Sequence, residues 1–171
     1  MRRKDREVTD PAEIFDILSR CDTLRIAMKG TDYPYIVPVS FGAERVNGQA
    51  VVYFHCAREG KKLDLLRADP RVAVESDIFI KTETTDHGIT TRYESAVGFG
   101  ECSFPEDGEE IRRGLRLICE HYGYVGYSLD GCRALQYLRV GKIVLRELTG
   151  KRNLPAAAGK TSAAAEKGSV S

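Results

Sequence analysis

No apolar run among the 171 residues approaches the roughly 20 that a membrane-spanning helix needs. The opening segment, MRRKDREVTDP, is charged and lacks the apolar stretch of a signal peptide. A cytoplasmic protein without a membrane partner is expected. An excess of one charge is also missing: Lys and Arg total 26 against 25 Asp and Glu, a formal net charge of +1. A dedicated nucleic-acid binder would carry a basic surplus, so that class is disfavoured, while a small cationic pocket is not. The five cysteines (Cys21, Cys56, Cys102, Cys119 and Cys132) are odd in number and widely spaced, with no CxxC pair and no Cys/His cluster. Neither a metal site nor a disulfide scaffold is expected, and the thiols read as reduced, mostly buried small hydrophobes. No GxGxxG follows a strand pattern and no GxxxxGK[ST] occurs, which disfavours Rossmann and P-loop nucleotide sites.

What is present is length enough for one domain with a full core, organised around VVYFHCAREGKKLDLL, Val51–Leu66. Val51–Phe54 are β-branched or aromatic, as a buried strand requires. His55 and Cys56 end that run, Arg58–Lys62 form a basic turn, and Leu63, Leu65 and Leu66 supply one side of a helix. A helix N-terminus carries free N–H groups and about half a positive charge. Lys61 and Lys62 are locally unfavourable there and become favourable once an anion sits among them. Gly60 lets the backbone approach that anion. A phosphate site is one reading; a solvated basic turn is the other.

Residues 1–9 read as a polar arm. Asp10-Pro11-Ala12-Glu13 is a helix start, followed by Ile14, Ile17, Leu18 and Cys21 on one helical face. Strands are expected over Thr23–Met28, Tyr33–Phe41 and Val51–Phe54, the last two joined through the Asn47-Gly48 hairpin signal. Pro34 and Pro38 exclude a helix and interrupt the hydrogen-bond ladder. A short helix stopping at Asp69-Pro70, a strand from Val72 and a ragged loop over Ile78–Ile89 follow. Thr91–Cys102 alternates as a strand, Glu109–Tyr122 as an amphipathic helix, and Gly123–Gly131 as a Tyr- and Gly-rich loop. A last strand is expected from about Gln136 to Leu148, then a disordered tail over 155–171. Five or six strands with three helices give an α+β domain over 1–154, built on a small antiparallel barrel.

The order of a helix, LRIAM (24–28), PYIVPVSFG (34–42), NG, YFHCAREGKKLDLLRADPRV (53–72), YESAVGFGE (93–101) and ELTGKR (147–152) resembles the pyridoxamine-phosphate-oxidase-like flavin-binding split barrels. Within them it is most similar to the nitroimidazole-resistance, or nitroimidazole-reductase-like, branch. The resemblance implies a homodimer binding FMN at the subunit interface, with Arg58, Lys61 and Lys62 on the flavin phosphate. It matches Pro38, Val39 and Ser40 to the segment along the isoalloxazine ring, and Ser95 to a position near the flavin. Ser95 also suits an ordinary barrel-facing serine. His55 matches a histidine that faces the flavin and touches substrate or donates a proton; backbone hydrogen bonding at a strand end would equally account for it. Arg25 reads as a structural ion pair, Cys56 as a packed residue rather than a reactive thiol, and His87 and His121 as exposed or helix-end residues.

The function implied is an FMN-dependent oxidoreductase passing electrons from NADH or NADPH to a small oxidised acceptor, a nitroaromatic being one class. A non-catalytic flavin or haem carrier of the same fold is the alternative. Pyridoxamine phosphate oxidation is a weaker one, because no cluster of basic residues for a second phosphate is evident.

Overall fold

Asp10 begins the first helix as its chemistry requires, its carboxylate accepting the N–H of Ala12 at 2.9 Å. Helix α1 (Pro11–Arg20) then buries Ile14, Ile17 and Leu18. The computed structural model describes residues 2–86 and 88–155. His87 and nearly all of the tail expected over 155–171 lie outside the described residues.

Among the described residues, eight strands form one sheet in which every pairing is antiparallel: β1 (Glu7–Val8), β2 (Leu24–Met28), β3 (Tyr35–Val39), β4 (Phe41–Val46), β5 (Gln49–Ala57), β6 (Arg71–Thr85), β7 (Gly88–Ser103) and β8 (Leu138–Asn153). The order is β3-β2-β6-β7-β8-β5-β4, with β1 added to β8. Its two ends, β3 and β4, are halves of one extended segment broken only at Ser40. The sheet therefore curls until its ends meet without pairing, which is a split barrel in an α+β fold. Asn47 and Gly48 both have positive φ and close the β4–β5 hairpin. Phe41, Phe54, Ile26, Leu24 and Ile143 fill the interior with no exposure, each side chain contributing about 1.5–3 kcal/mol on burial. A Cβ on Gly141 would meet the Phe54 ring at 2.3 Å, so glycine is what lets that ring lie against β8.

Helix α2 (Lys61–Ala68) adds Leu66 to this core. Helix α3 (Gly108–His121) covers the outer face of β4, β5 and β8, packing Leu115 and Ile118 on Val51, Tyr53 and Val140. The Tyr53 hydroxyl under it lies 3.2 Å from Glu44 Oε1 and 3.3 Å from Glu110 Oε1. Lys142 donates to that same glutamate and Arg113 to Glu44, so the seat is charged but balanced. At the far end of α3, His121 Nε2 is 2.8 Å from the Cys21 carbonyl, and its ring lies 4.4 Å from that of Phe41.

Three expectations change. Of the loop expected over 78–89, residues 78–85 and 88–89 are strand, since β6 runs to Thr85 and β7 starts at Gly88. The Ile and Thr residues there favour strand, and the polarity marks a ribbon solvated on both sides beyond the barrel. The N-terminal arm is pinned, because Glu7 and Val8 pair with Lys151 and Gly150 and Val8 is buried. The last strand extends to Asn153 and begins at Leu138 after a 3₁₀ turn over Arg133–Tyr137. The pinned arm, together with the division of the expected Tyr33–Phe41 strand at Ser40 into β3 and β4, raises the strand count from five or six to eight among the described residues.

Candidate functional site

The split leaves two strand edges unladdered and facing one gap. Strand β5 pairs with β8 from Val51 to Ala57 on one side, but with β4 only as far as Phe54 on the other. On that second edge His55, Cys56 and Ala57 lack a β4 partner. Strand β3 pairs with β2 alone, Pro38 opposite Arg25 and Val39 opposite Leu24. Pro38 occupies a ladder position on this edge strand, the sheet setting that tolerates a residue without an N–H. Continuing the β4–β5 register by one residue would set Ser40 against His55, and there the chain swings away to β2.

The N-terminus of α2 stands in this gap. Its N-cap is Gly60, at φ 130° and ψ 165°, and no side chain caps the helix. That φ is costly for any other residue. Lys61 Nζ sits 4.8 Å from the Tyr35 ring centroid on β3, and Lys62 Nζ 5.2 Å from the Phe54 ring on β5. One lysine thus reaches each side of the split. Arg58 lies on the α3 side of the same corner, in a groove that Arg139 also lines. Elsewhere arginines are mostly paired: Arg20 with Glu94, Arg25 with Glu75 and Asp77, Arg92 with Glu83. Among the described residues no carboxylate forms an ion pair with Arg58, Lys61, Lys62 or Arg139. Free helix N–H groups and four unpaired cations at one corner suit an anion.

His55 is exposed on the outer face of β5, directly opposite Val140. Cys56 turns inward, where burial raises its thiol above the ordinary value despite Lys62 and Arg139. An activated thiol is thereby disfavoured. Arg25 is held by Glu75 at 2.9 Å and Asp77 at 2.8 Å, as an ion-pair reading requires.

Ser95 faces outward on β7 with Val97 and Phe99, not into the barrel, because small Ala96 and Gly98 take the inner positions. It shares the outer sheet face with Pro38 but stands three strands away, roughly 14 Å at the usual strand spacing of about 4.8 Å. One chain therefore gathers Pro38–Ser40, His55, Lys61 and Lys62 at the split and leaves Ser95 apart. The same outer face holds a cleft of about 600 Å³, floored by Ala27, Ala73 and Phe99. Two of its rim cations are internally paired, Arg71 with Asp69 and Arg146 with Glu101, and Lys29 also lines it. Ile36 and Phe99 are 59% and 52% exposed on this face, an apolar surface without a cover in one chain. Arg139 went unnoticed in the sequence; only the pairing of Cys56 with it across β5 and β8 brings it to the corner.

No helix among the described residues is long and apolar enough to cross a membrane. A family model described as pyridoxamine 5'-phosphate oxidase matches residues 10–152. No curated protein sequence matches. Among solved structures, a candidate 5-nitroimidazole antibiotic resistance protein from Bacteroides thetaiotaomicron is 28% identical, with a TM-score of 0.75 over 85% of this chain and 86% of its own. An FAD-binding protein from Mesorhizobium loti is 20% identical, with a TM-score of 0.61 over 86% of this chain and 97% of its own. An FAD and heme binding protein from Mycobacterium smegmatis is 17% identical, with a TM-score of 0.72 over 90% and 77%.

Proposed function

The chain belongs to the pyridoxamine 5'-phosphate oxidase family, and we propose from that premise that it is an FMN-dependent oxidoreductase acting as a homodimer. The observation that carries this reading is the split itself, with two unladdered strand edges and a lysine on each side of an uncapped helix start. A flat heterocycle needs in-plane hydrogen-bond partners, and the free edges of β3 and β5 offer backbone groups for it. Its phosphate needs an anion site, and Lys61, Lys62 and the first N–H groups of α2 supply one, with Arg58 at the border.

FMN held at the split would supply the redox chemistry linking NADH or NADPH to a small oxidised acceptor, a nitroaromatic being the class favoured by the similarity to the candidate nitroimidazole resistance protein. The chain's residues bind and orient. Pro38, Val39 and Ser40 line one side of the ring, and Lys61 and Lys62 neutralise the phosphate. The exposed His55 imidazole stands at the free end of β5, where it can give a proton to the reduced acceptor. Dimerisation on the outer face of β3, β2, β6 and β7 would cover Ile36, Val97 and Phe99 and bring Ser95 under a second subunit.

The purified protein's visible spectrum tests this. A flavin spectrum that bleaches with NADH or NADPH in the absence of oxygen is expected. A Soret band, or a colourless protein that ignores added FMN, would overturn the proposal. Lys61→Ala with Lys62→Ala should lower FMN retention at least tenfold, while His55→Ala should lower turnover more than FMN affinity.

A further inference from the structure

A second groove, about 280 Å³, opens on the α3 side of the β5–α2 corner. Ile111, Leu135, Leu138 and Val140 give it apolar walls, and Arg58 and Arg139 supply its cations. Arg139 is half-buried, with its guanidinium carbon 5.8 Å from the Phe104 ring centroid. It forms no hydrogen bond or ion pair with any carboxylate among the described residues. A half-buried guanidinium in that state is an incomplete arrangement, since its forked donors match a carboxylate in two parallel bonds. Glu106 also lines the groove, so two positive charges meet one negative and the local balance favours a single negative charge over a doubly charged phosphate. The volume falls just under the range of roughly 300–1,000 Å³ for drug-sized ligands. The guest is therefore small.

The groove is adjacent to the proposed chemistry. Val140, in its wall, is the ladder partner of His55, and directly opposed strand residues project from the same face. Arg139, one residue further along, is the partner of the inward-turned Cys56 and so leaves β8 on the opposite face; its guanidinium meets Phe104 at the strand's end, where it joins Arg58 in the groove lining.

We propose that this groove binds a small apolar molecule bearing a carboxylate, held by Arg139 and Arg58 with its body against Ile111, Leu135 and Val140, beside His55. As the subsite for the electron acceptor it rests on the flavin reading above; as a carboxylate site it does not.

Benzoate and its neutral isostere benzamide serve as probes, titrated into the purified protein by calorimetry at low salt, with amide shifts of ¹⁵N-labelled protein locating the contact. Benzoate should bind at least tenfold more tightly than benzamide and shift Ile111 and Val140. Arg139→Gln should remove that preference and leave benzamide binding unchanged. Glu106→Gln, at an exposed position, should tighten benzoate several-fold. Equal binding of the two probes overturns the proposal, as does benzoate affinity insensitive to both substitutions. Loss of benzoate binding on changing Lys61 and Lys62 to Ala, with Arg139→Gln silent, would move the anion to the split and also overturn it. Absence of flavin from a protein that still discriminates benzoate would remove the oxidoreductase reading and leave the carboxylate site standing.

Discussion

The Tyr122 hydroxyl accepts the backbone N–H of Phe41 at 3.3 Å and donates to the Asp22 carbonyl at 2.7 Å. Phe41 is the first residue after the break at Ser40, so this N–H belongs to the chain where it leaves one ladder and enters the other. A side chain just past the end of α3 thereby fixes the geometry of the split. Tyr122→Phe keeps the ring and strands a partly buried donor, which costs about 1–3 kcal/mol. Denaturant unfolding should register that loss, together with weaker FMN retention than in the parent protein. Unchanged stability would mean that water takes the hydroxyl's place.

Gly42 lets β4 lie against the backbone of α3. A Cβ there would stand 2.4 Å from the Leu117 carbonyl carbon and 2.5 Å from the Ile118 nitrogen, both backbone atoms. Gly42→Ala must push the helix away, at the upper end of the roughly 1–3 kcal/mol typical of overpacking. Gly108→Ala, where nothing lies within 4 Å, should be neutral or stabilising by about 0.4–1 kcal/mol. Thermal melts of the two variants would separate in opposite directions.

Alkaline pH should destabilise the fold through its buried thiols, Cys102 foremost, and through Tyr53. Burial pushes the Cys102 thiol up to about 12 from an ordinary 9.0. Burial, then the charges of Glu44 and Glu110, raises the Tyr53 hydroxyl above its ordinary 10.0. Below pH 9 the thiol is protonated in folded and unfolded chains alike, and it adds no pH dependence. Above that, the unfolded chain loses the proton first, so stability falls as pH rises toward 12. Unfolding measured at pH 8 and pH 10.5 should show this decline, and Cys102→Ala should flatten it.

Phe99, 52% exposed on the outer sheet face beside the large cleft, is the position for testing self-association. Phe99→Glu places a charge in the middle of the proposed interface. Sedimentation should then report a monomer where the parent protein sediments as a dimer, and FMN retention should fall with it.

Much of this architecture was legible from local chemistry. Asp10-Pro11 starts α1 and Asn47-Gly48 turns the hairpin because capping and positive φ are properties of those residues themselves. The corner of Gly60, Lys61 and Lys62 was readable for the same reason. The ribbon over 78–89 misled because alternation identifies a strand only when one of its faces is buried, and here both are wet. The barrel-facing reading of Ser95 failed in the opposite sense: the larger Val97 and Phe99 lie outside while Ala96 lies within, an inversion reasonable only if another surface covers them. Arg139 lies more than seventy residues from the corner it joins, and no local pattern announces a neighbour made by strand pairing.

Strand β5 holds the core with Phe54, seats α3 with Tyr53, and delivers His55 to the gap. Within its nine residues, architecture and chemistry occupy consecutive positions. A lineage adapting to a new guest has little freedom there. Variation in specificity is instead expected at Arg58, in the short 3₁₀ turn and along β3, where side chains can be exchanged while the barrel keeps its staves.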